Sequence, residues 1–338
     1  MARCMNMIYT LPVDLRERMT TRLNAHSIAV THIDINGWYT EDELARELKG
    51  IDATLAGDEP YSSKVLEGAD GLRIIARVGV GYDNVDVDAA TRKGIWVTNT
   101  PVPELAKAVA EEAFALTLAL LRRITFRDKM MRRGIYHTGD YYSIIREAYP
   151  LTLGIIGLGR IGKQVARRAV GFEMRVQYHD VMRDLESEKR LGIRFVGLGE
   201  LLETSDVITL HAPLTSQTRG MIGDKELRAM RRGAVIINAA RGALVDERAL
   251  LEALREGRIG GAGISVYTQE PPGEGHPFYK VGDELDNLIL IPHVGDGPDS
   301  IRAQLDAAVG EVIAAMEGNE PKYALNAPLP RRACPEER

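Results

Sequence analysis

The stretch Thr152-Leu-Gly-Ile-Ile-Gly157-Leu-Gly159-Arg160-Ile161-Gly162 decides the fold. Leu153 to Ile156 reads as a short buried strand, and it runs directly into G-x-G-x-x-G at the head of a helical stretch, Arg160 to Val170. In that arrangement the first glycine permits a tight turn, the second lets backbone approach a pyrophosphate, and the third lets the helix pack on the strand. The free N–H groups and positive dipole end of the helix then favour phosphate. The next apolar run, from Arg175, ends at Asp180, and 180 − 157 = 23, near the ~20 residues at which an acid takes the ribose hydroxyls of a dinucleotide. A carboxylate at that point repels a 2′-phosphate, which favours NAD over NADP.

Working outward, the alternation of strand and helix continues on both sides. Downstream strands are expected at Arg194 to Val196, Val207 to Leu210, Ala234 to Ile237, Ala262 to Val266 and Leu288 to Ile291, with a helix at Glu247 to Glu256. Such alternation points to a doubly wound parallel sheet, in which ligands bind beyond the carboxyl ends of the strands. The residues that follow the last three strands are Asn238-Ala239-Ala240-Arg241, Tyr267-Thr-Gln-Glu270-Pro and Pro292-His293. An arginine can hold a carboxylate bidentately, a histidine can exchange a proton near neutral pH, and a glutamate can orient the imidazole and favour its charged form. Converging on one edge beside a nucleotide site, the three types suit reduction of a 2-keto acid.

Upstream, the runs Met7-Ile-Tyr, Ile28-Ala-Val, Ala53 to Ala56, Arg73 to Arg77 and Ile95-Trp-Val suggest a second, smaller doubly wound unit. Thr40 with Glu43 three residues on marks a helix start. Thr100-Pro-Val-Pro breaks the pattern before a long helical run from Glu104 to Leu121 and reads as a hinge. Residues 122–150 are arginine-rich and aromatic without clean periodicity, which suggests an arm or subunit contact. Ser300 to Glu317 is helical, and a proline-rich tail follows.

Composition supports this frame. Of 338 residues, 45% are hydrophobic and 27% charged, close to a globular average, and the length favours two domains. The net charge, 43 − 48 = −5, gives no basic field for nucleic acid or an anionic membrane. No membrane span and no signal peptide are expected, and Cys4 and Cys334 offer neither a disulfide framework nor metal-ligand spacing. The expectation is a cytoplasmic protein without a metal site.

The blocks Arg77-Val-Gly-Val-Gly-Tyr-Asp-Asn-Val-Asp, Ala108-Val-Ala-Glu-Glu, the glycine loop, His211-Ala-Pro-Leu-Thr-Ser-Gln-Thr-Arg-Gly, Asn238-Ala-Ala-Arg-Gly-Ala-Leu-Val-Asp-Glu, Glu270-Pro and Pro292-His293 together resemble the D-isomer-specific 2-hydroxyacid dehydrogenases over nearly the whole chain. Leu66 to Pro101 is most similar to the 3-phosphoglycerate dehydrogenase branch, whose C-terminal regulatory domain is not expected here and whose arginine is replaced within Ala56-Gly57-Asp58-Glu59. The resemblance implies a Rossmann-type NAD domain over 101–292, with a dimerisation arm about 122–150 making a homodimer. It also implies a discontinuous, flavodoxin-like substrate domain from 1–100 and 293–338, the cleft between the domains closing before hydride transfer.

In that scheme Arg241 anchors the substrate, His293 is the acid/base and Glu270 its partner, while backbone at Val80 and Gly81 cradles a carboxylate. Besides the three loop glycines, Arg160, Ile161, Asp180, His211, Ala212, Pro213, Thr218, Ala239, Ala240 and Ser265 match cofactor positions. Ser265 stands where the family commonly has an aspartate, and Asp296 follows closely after the histidine. The implied partner is a small anionic 2-keto or 2-hydroxy acid. A dinucleotide-sensing corepressor-like protein, and a dehydrogenase of another small anion such as formate or phosphite, are the alternatives on the same fold.

Overall fold

The computed structural model describes residues 1–7, 11–33, 39–136 and 144–328. Cys334 and the end of the proline-rich tail lie outside them, as do Tyr9 and part of the arm. The chain divides into two compact units, 1–105 with 297–338 and 106–296. Against expected crossings at 101 and 293, the divisions fall five residues later on the first pass, inside the opening turn of a helix, and four later on the second.

The second unit is a seven-stranded sheet built on β6 (Thr152–Ile156), β7 (Arg175–His179), β8 (Arg194–Phe195), β9 (Val207–Leu210), β10 (Val235–Asn238), β11 (Gly261–Ile264) and β12 (Leu288–Leu290). Its order is β12-β11-β10-β9-β6-β7-β8, parallel at every pairing. From β6 outward this is the 3-2-1-4-5-6 order of a dinucleotide-binding fold with one strand added, and the order reverses between β6 and β9. One face is covered by α5 (Pro103–Leu121) and α7 (Arg160–Gly171), whose Phe114, Leu116, Val165 and Ala166 pack with Ile155, Val207 and Ile237. The other is covered by α9 (Leu198–Thr204), α10 (Asp224–Ala229) and α11 (Glu247–Arg255), which bring Leu201, Leu227, Leu250 and Leu254 onto Ile208, Ile236 and Ile264. With both faces covered, β6, β9 and β10 are continuous apolar runs, as parallel strands require.

The first unit has five parallel strands in the order β2-β1-β3-β4-β5: β1 (Ala2–Asn6), β2 (Ile28–His32), β3 (Ala53–Ala56), β4 (Ile74–Arg77) and β5 (Trp96–Thr98). That is the flavodoxin-like order. α1 (Val13–Ala25) and α12 (Pro298–Met316) cover one face through Leu15, Met19, Leu305 and Val309; α2 (Glu41–Glu47), α3 (Ser63–Glu67) and α4 (Val87–Arg92) cover the other. Of the expected first strand, Met7 to Tyr9, only Met7 lies within the described residues: β1 ends just before it at Asn6, in register with β2 and β3, and Met7 continues the run buried, donating its N–H to the Leu55 carbonyl. Thr40 does form the capping box, its hydroxyl accepting from the Glu43 N–H and its own N–H donating to the Glu43 carboxylate. α6 (Ile124–Arg132) gives the expected aperiodic arm one short helix with no buried residue.

Candidate active site

The turn from β6 into α7 carries the glycines, and each has its own constraint. Gly157 sits at φ +94°, where a Cβ would fall 2.7 Å from the Ala212 nitrogen. At Gly162 a Cβ would fall 2.2 Å from the Gly157 carbonyl oxygen, so the third glycine is what brings α7 against β6. A Cβ on Gly159 would meet nothing within 4 Å. Open space at the N-cap of a 12-residue helix, floored by backbone, fits a pyrophosphate. Arg160 and Ile161 open that helix.

Asp180 follows β7 and ties itself to the loop. Its Oδ2 accepts from the Leu158 N–H at 2.7 Å and its Oδ1 from the Met182 N–H at 3.3 Å. Each oxygen retains a further lone pair, enough for a ribose diol. His211 follows β9: its backbone N–H donates to the Ile156 carbonyl at 2.7 Å, its Nε2 lies 2.9 Å from the Thr209 hydroxyl, and its buried Nδ1 has no hydrogen-bond partner among the described residues. Burial pushes this imidazole down to about 3, so it is neutral. Beyond Ala212, the Thr218 hydroxyl donates to the Pro213 carbonyl at 2.6 Å and accepts from the Thr215 N–H at 2.8 Å, which stiffens the turn on that edge.

After β10, Asn238 shapes the turn that carries Ala239, Ala240 and Arg241. Its Oδ1 accepts from the Ala240 N–H at 3.2 Å and its Nδ2 donates to the Arg241 carbonyl at 2.9 Å. The Arg241 Nη1 donates to the Ala240 carbonyl at 2.9 Å. Gly242 then passes so close to the next loop that a Cβ would fall 1.9 Å from the Tyr267 carbonyl carbon. The loops after β10 and β11 are therefore pressed together, and only a glycine allows it.

That second loop carries Glu270, whose Oε1 accepts from the Tyr267 N–H at 2.8 Å and whose Oε2 lies 2.7 Å from His293 Nδ1. His293 follows β12, and the Tyr267 hydroxyl donates to the Ile291 carbonyl just before it at 2.9 Å. The expected Glu–His pair is thus formed by the ends of β11 and β12, with the glutamate fixed by backbone before it meets the ring. Sequence reasoning missed what braces this loop: Glu247, at the start of α11, accepts from the Thr268 N–H at 2.8 Å and lies 3.1 Å from His276 Nε2. It also missed Glu112 of α5, half-buried, whose carboxyl is pushed up by burial while Ser265 and the charge of His293 oppose the rise. No spacing rule links Glu247 to His276, but an i, i+4 stripe on α5 could have found Glu112.

In the first unit, Val80 and Gly81 follow β4. Gly79, at φ +147°, donates its N–H to the Thr100 hydroxyl at 2.8 Å, and Asn99 Nδ2 donates to the Val80 carbonyl at 2.8 Å. Beneath the loop lies the buried Arg77 guanidinium, paired with Asp58, whose Nη1 stands 2.8 Å from where a Gly79 Cβ would be.

A Rossmann sheet with a glycine-loop helix and a Glu–His pair at its carboxyl edge defines a dinucleotide-dependent oxidoreductase. Residues 114–295 match the family profile of the D-isomer-specific 2-hydroxyacid dehydrogenase NAD-binding domain. A glyoxylate reductase of Korarchaeum cryptofilum is 40% identical over 304 residues, covering 87% of this chain and 90% of that protein. A D-3-phosphoglycerate dehydrogenase of Archaeoglobus fulgidus is 35% identical over 88% of this chain and 55% of its own length. The crystal structure of an Aquifex aeolicus D-lactate dehydrogenase complexed with NAD and lactic acid superposes at a TM-score of 0.82, with 29% identity over 94% of this chain and 96% of that one. The chain belongs to the D-isomer-specific 2-hydroxyacid dehydrogenases. It is an NAD-dependent oxidoreductase.

Proposed function

We propose that the protein reduces small 2-keto acids of the glyoxylate class to the corresponding D-2-hydroxy acids, with His293 as proton donor, Glu270 as its orienting partner and Arg241 as the carboxylate anchor. The observation that carries this reading is the 2.7 Å contact of Glu270 with His293 Nδ1, on the same sheet edge as Arg241. With Nδ1–H given to Glu270, the ring's other nitrogen, Nε2, is left to pass a proton to the carbonyl oxygen in reduction and to take it back in oxidation. Glu270 stabilises the charged ring in the same way that the acid of a catalytic triad does, without itself taking the proton. Bound NADH supplies the hydride. The glycine loop at the head of α7 takes its pyrophosphate and Asp180 its ribose, while Ala212, Pro213, Thr218, Ala239, Ala240 and Ser265 line the same edge. Arg241 would bind the substrate carboxylate and draw electron density from the adjacent carbonyl. Within the first unit, backbone N–H groups at Val80 and Gly81 are an anion-binding element in the same reading.

The similarity to glyoxylate reductases supports glyoxylate as the first substrate to try. Homodimer formation through the 122–150 arm belongs to the same reading, and the exposed Ile124, Met131 and Tyr136 support it. A cytoplasmic location is proposed with it. The test is NADH oxidation with glyoxylate, hydroxypyruvate, pyruvate and phosphohydroxypyruvate, and NAD reduction with formate and phosphite as the competing pair. Turnover of an unphosphorylated 2-keto acid to a D product supports the proposal. Inactivity on all four keto acids despite NADH binding overturns it, and turnover of formate or phosphite alone replaces it with oxidation of another small anion.

A further inference from the structure

The turn that presents Glu270 has two successive backbone donors taken by two different carboxylates. The Tyr267 N–H goes to Glu270 Oε1 at 2.8 Å, and the Thr268 N–H goes to Glu247 Oε1 at 2.8 Å. The first of these carboxylates meets the His293 ring; the second meets another histidine. Glu247 is the first residue of α11, where the positive end of the helix favours a negative charge. Its Oε2 lies 3.1 Å from His276 Nε2, while the Phe278 N–H donates to His276 Nδ1 at 3.4 Å. With Nδ1 accepting, Nε2 carries the hydrogen and donates it to Glu247.

Water has little access to this pair: the His276 side chain is 8% exposed and that of Glu247 14%. A hydrogen bond to a carboxylate in such a place is strong and holds its geometry. The His276 ring packs among Tyr267, Phe278 and Tyr279, at centroid distances of 5.8, 5.1 and 5.8 Å. Tyr267 carries the connection to the other half of the proton-transfer pair. Its hydroxyl donates at 2.9 Å to the carbonyl of Ile291, two residues before His293. Glu247 and His276 therefore bear on Glu270 through the Thr268 N–H, and on the chain entering His293 through the Tyr267 ring.

Proton transfer is sensitive to such support, since a misplacement of about 1 Å can cost about a hundredfold in rate. We infer that Glu247 and His276 are positioning residues of the proton-transfer step, a hydrogen-bonded pair that fixes the turn from Tyr267 to Glu270 so that the Glu270 carboxylate meets His293 Nδ1. They act through Glu270 and Tyr267 and not on the substrate. This deepens the reading of His293 as the proton donor and rests on it.

The experiment follows the His293 ring by NMR through a pH titration of the coenzyme-free protein, its resonance assigned by loss in His293→Ala. Glu270→Gln is expected to lower the His293 midpoint, because a carboxylate within hydrogen-bond reach favours the charged ring. His276→Phe keeps a ring among the same aromatic neighbours and removes the donor to Glu247. It is expected to lower the midpoint in the same direction, and to move it no further in the Glu270→Gln background. Glu112, whose carboxyl feels the charges of His293 and Asp296, stays in place in every variant and cancels from the comparison. Glu247→Gln gives the same comparison if the phenylalanine variant folds poorly, because one of its two acceptor oxygens becomes an NH2 group facing a donor. With glyoxylate, His276→Phe is expected to slow single-turnover reduction by bound NADH about tenfold, with NADH affinity unchanged. A folded His276→Phe or Glu247→Gln protein whose His293 titrates as in wild type overturns the inference, as does a shift that persists in full in the Glu270→Gln background. The titration needs no substrate, so inactivity of the wild type on every 2-keto acid would sink the reading of the reaction and leave this test standing. An unmoved midpoint beside normal wild-type turnover would sink the positioning alone.

Discussion

His211 is the residue whose chemistry is most at odds with its type. A surface histidine titrates near 6.5, but burial pushes this one down to about 3. The folded protein keeps it neutral where the unfolded chain would protonate it, so its contribution to stability is present above pH 6.5 and is lost as pH falls toward 3. Each proton taken up only by the unfolded chain costs about 1.4 kcal/mol per pH unit. His211→Gln keeps a polar group for Thr209 and cannot titrate. Urea unfolding of the coenzyme-free protein between pH 4.5 and 6.5 should show a shallower decline for the variant by about that slope. Parallel pH profiles for the two proteins would show that the imidazole is not held neutral. The sequence places His211 on the cofactor edge, but nothing in its neighbours along the chain says that Nδ1 would be buried without a partner.

At the scale of the element, the turn between β6 and α7 separates folding from binding. Gly162→Ala puts a Cβ 2.2 Å from the Gly157 oxygen, which must push helix from strand, whereas Gly159→Ala meets nothing within 4 Å. Thermal unfolding and NADH titration should therefore part company. Gly162→Ala is expected to lose about 1–3 kcal/mol of stability together with NADH affinity. Gly159→Ala is expected to unfold as wild type does and still bind NADH more weakly, because its methyl group fills the space for the pyrophosphate. Equal NADH affinity in Gly159→Ala and wild type would place the phosphates elsewhere. This element was legible because three signals coincide within eleven residues: an apolar strand, spaced glycines and the start of a helical stretch. β1 was not, since Met7 is as apolar and as buried as Cys4 and Met5, and only the register with β2 and β3 sets the strand at Ala2–Asn6.

At the scale of the molecule, the alternation of strand and helix disclosed two parallel α/β units, whereas the return of the chain to the first was implied only by the family resemblance. What it disclosed of the site were the residues at strand ends: Arg241, Glu270 and His293 each follow an apolar run, and parallel strands bring their carboxyl ends to one edge. Residues that act across elements stayed hidden. Glu112 reaches the edge only because Gly261 and Gly263 draw α5 close, and Glu247 meets His276 only once α11 and the loop after β11 have both packed. Those contacts depend on packing distance, which a linear pattern does not carry. The central claim is that one imidazole, held by Glu270, moves the proton at a site that binds NADH independently of it. Single-turnover reduction of glyoxylate by bound NADH in His293→Ala tests it most directly. The expected rate is at least about a hundredfold below wild type, with the NADH dissociation constant within about threefold of wild type, a limit below one hydrogen bond's worth. A variant that binds NADH normally and reduces glyoxylate at the wild-type rate would contradict it.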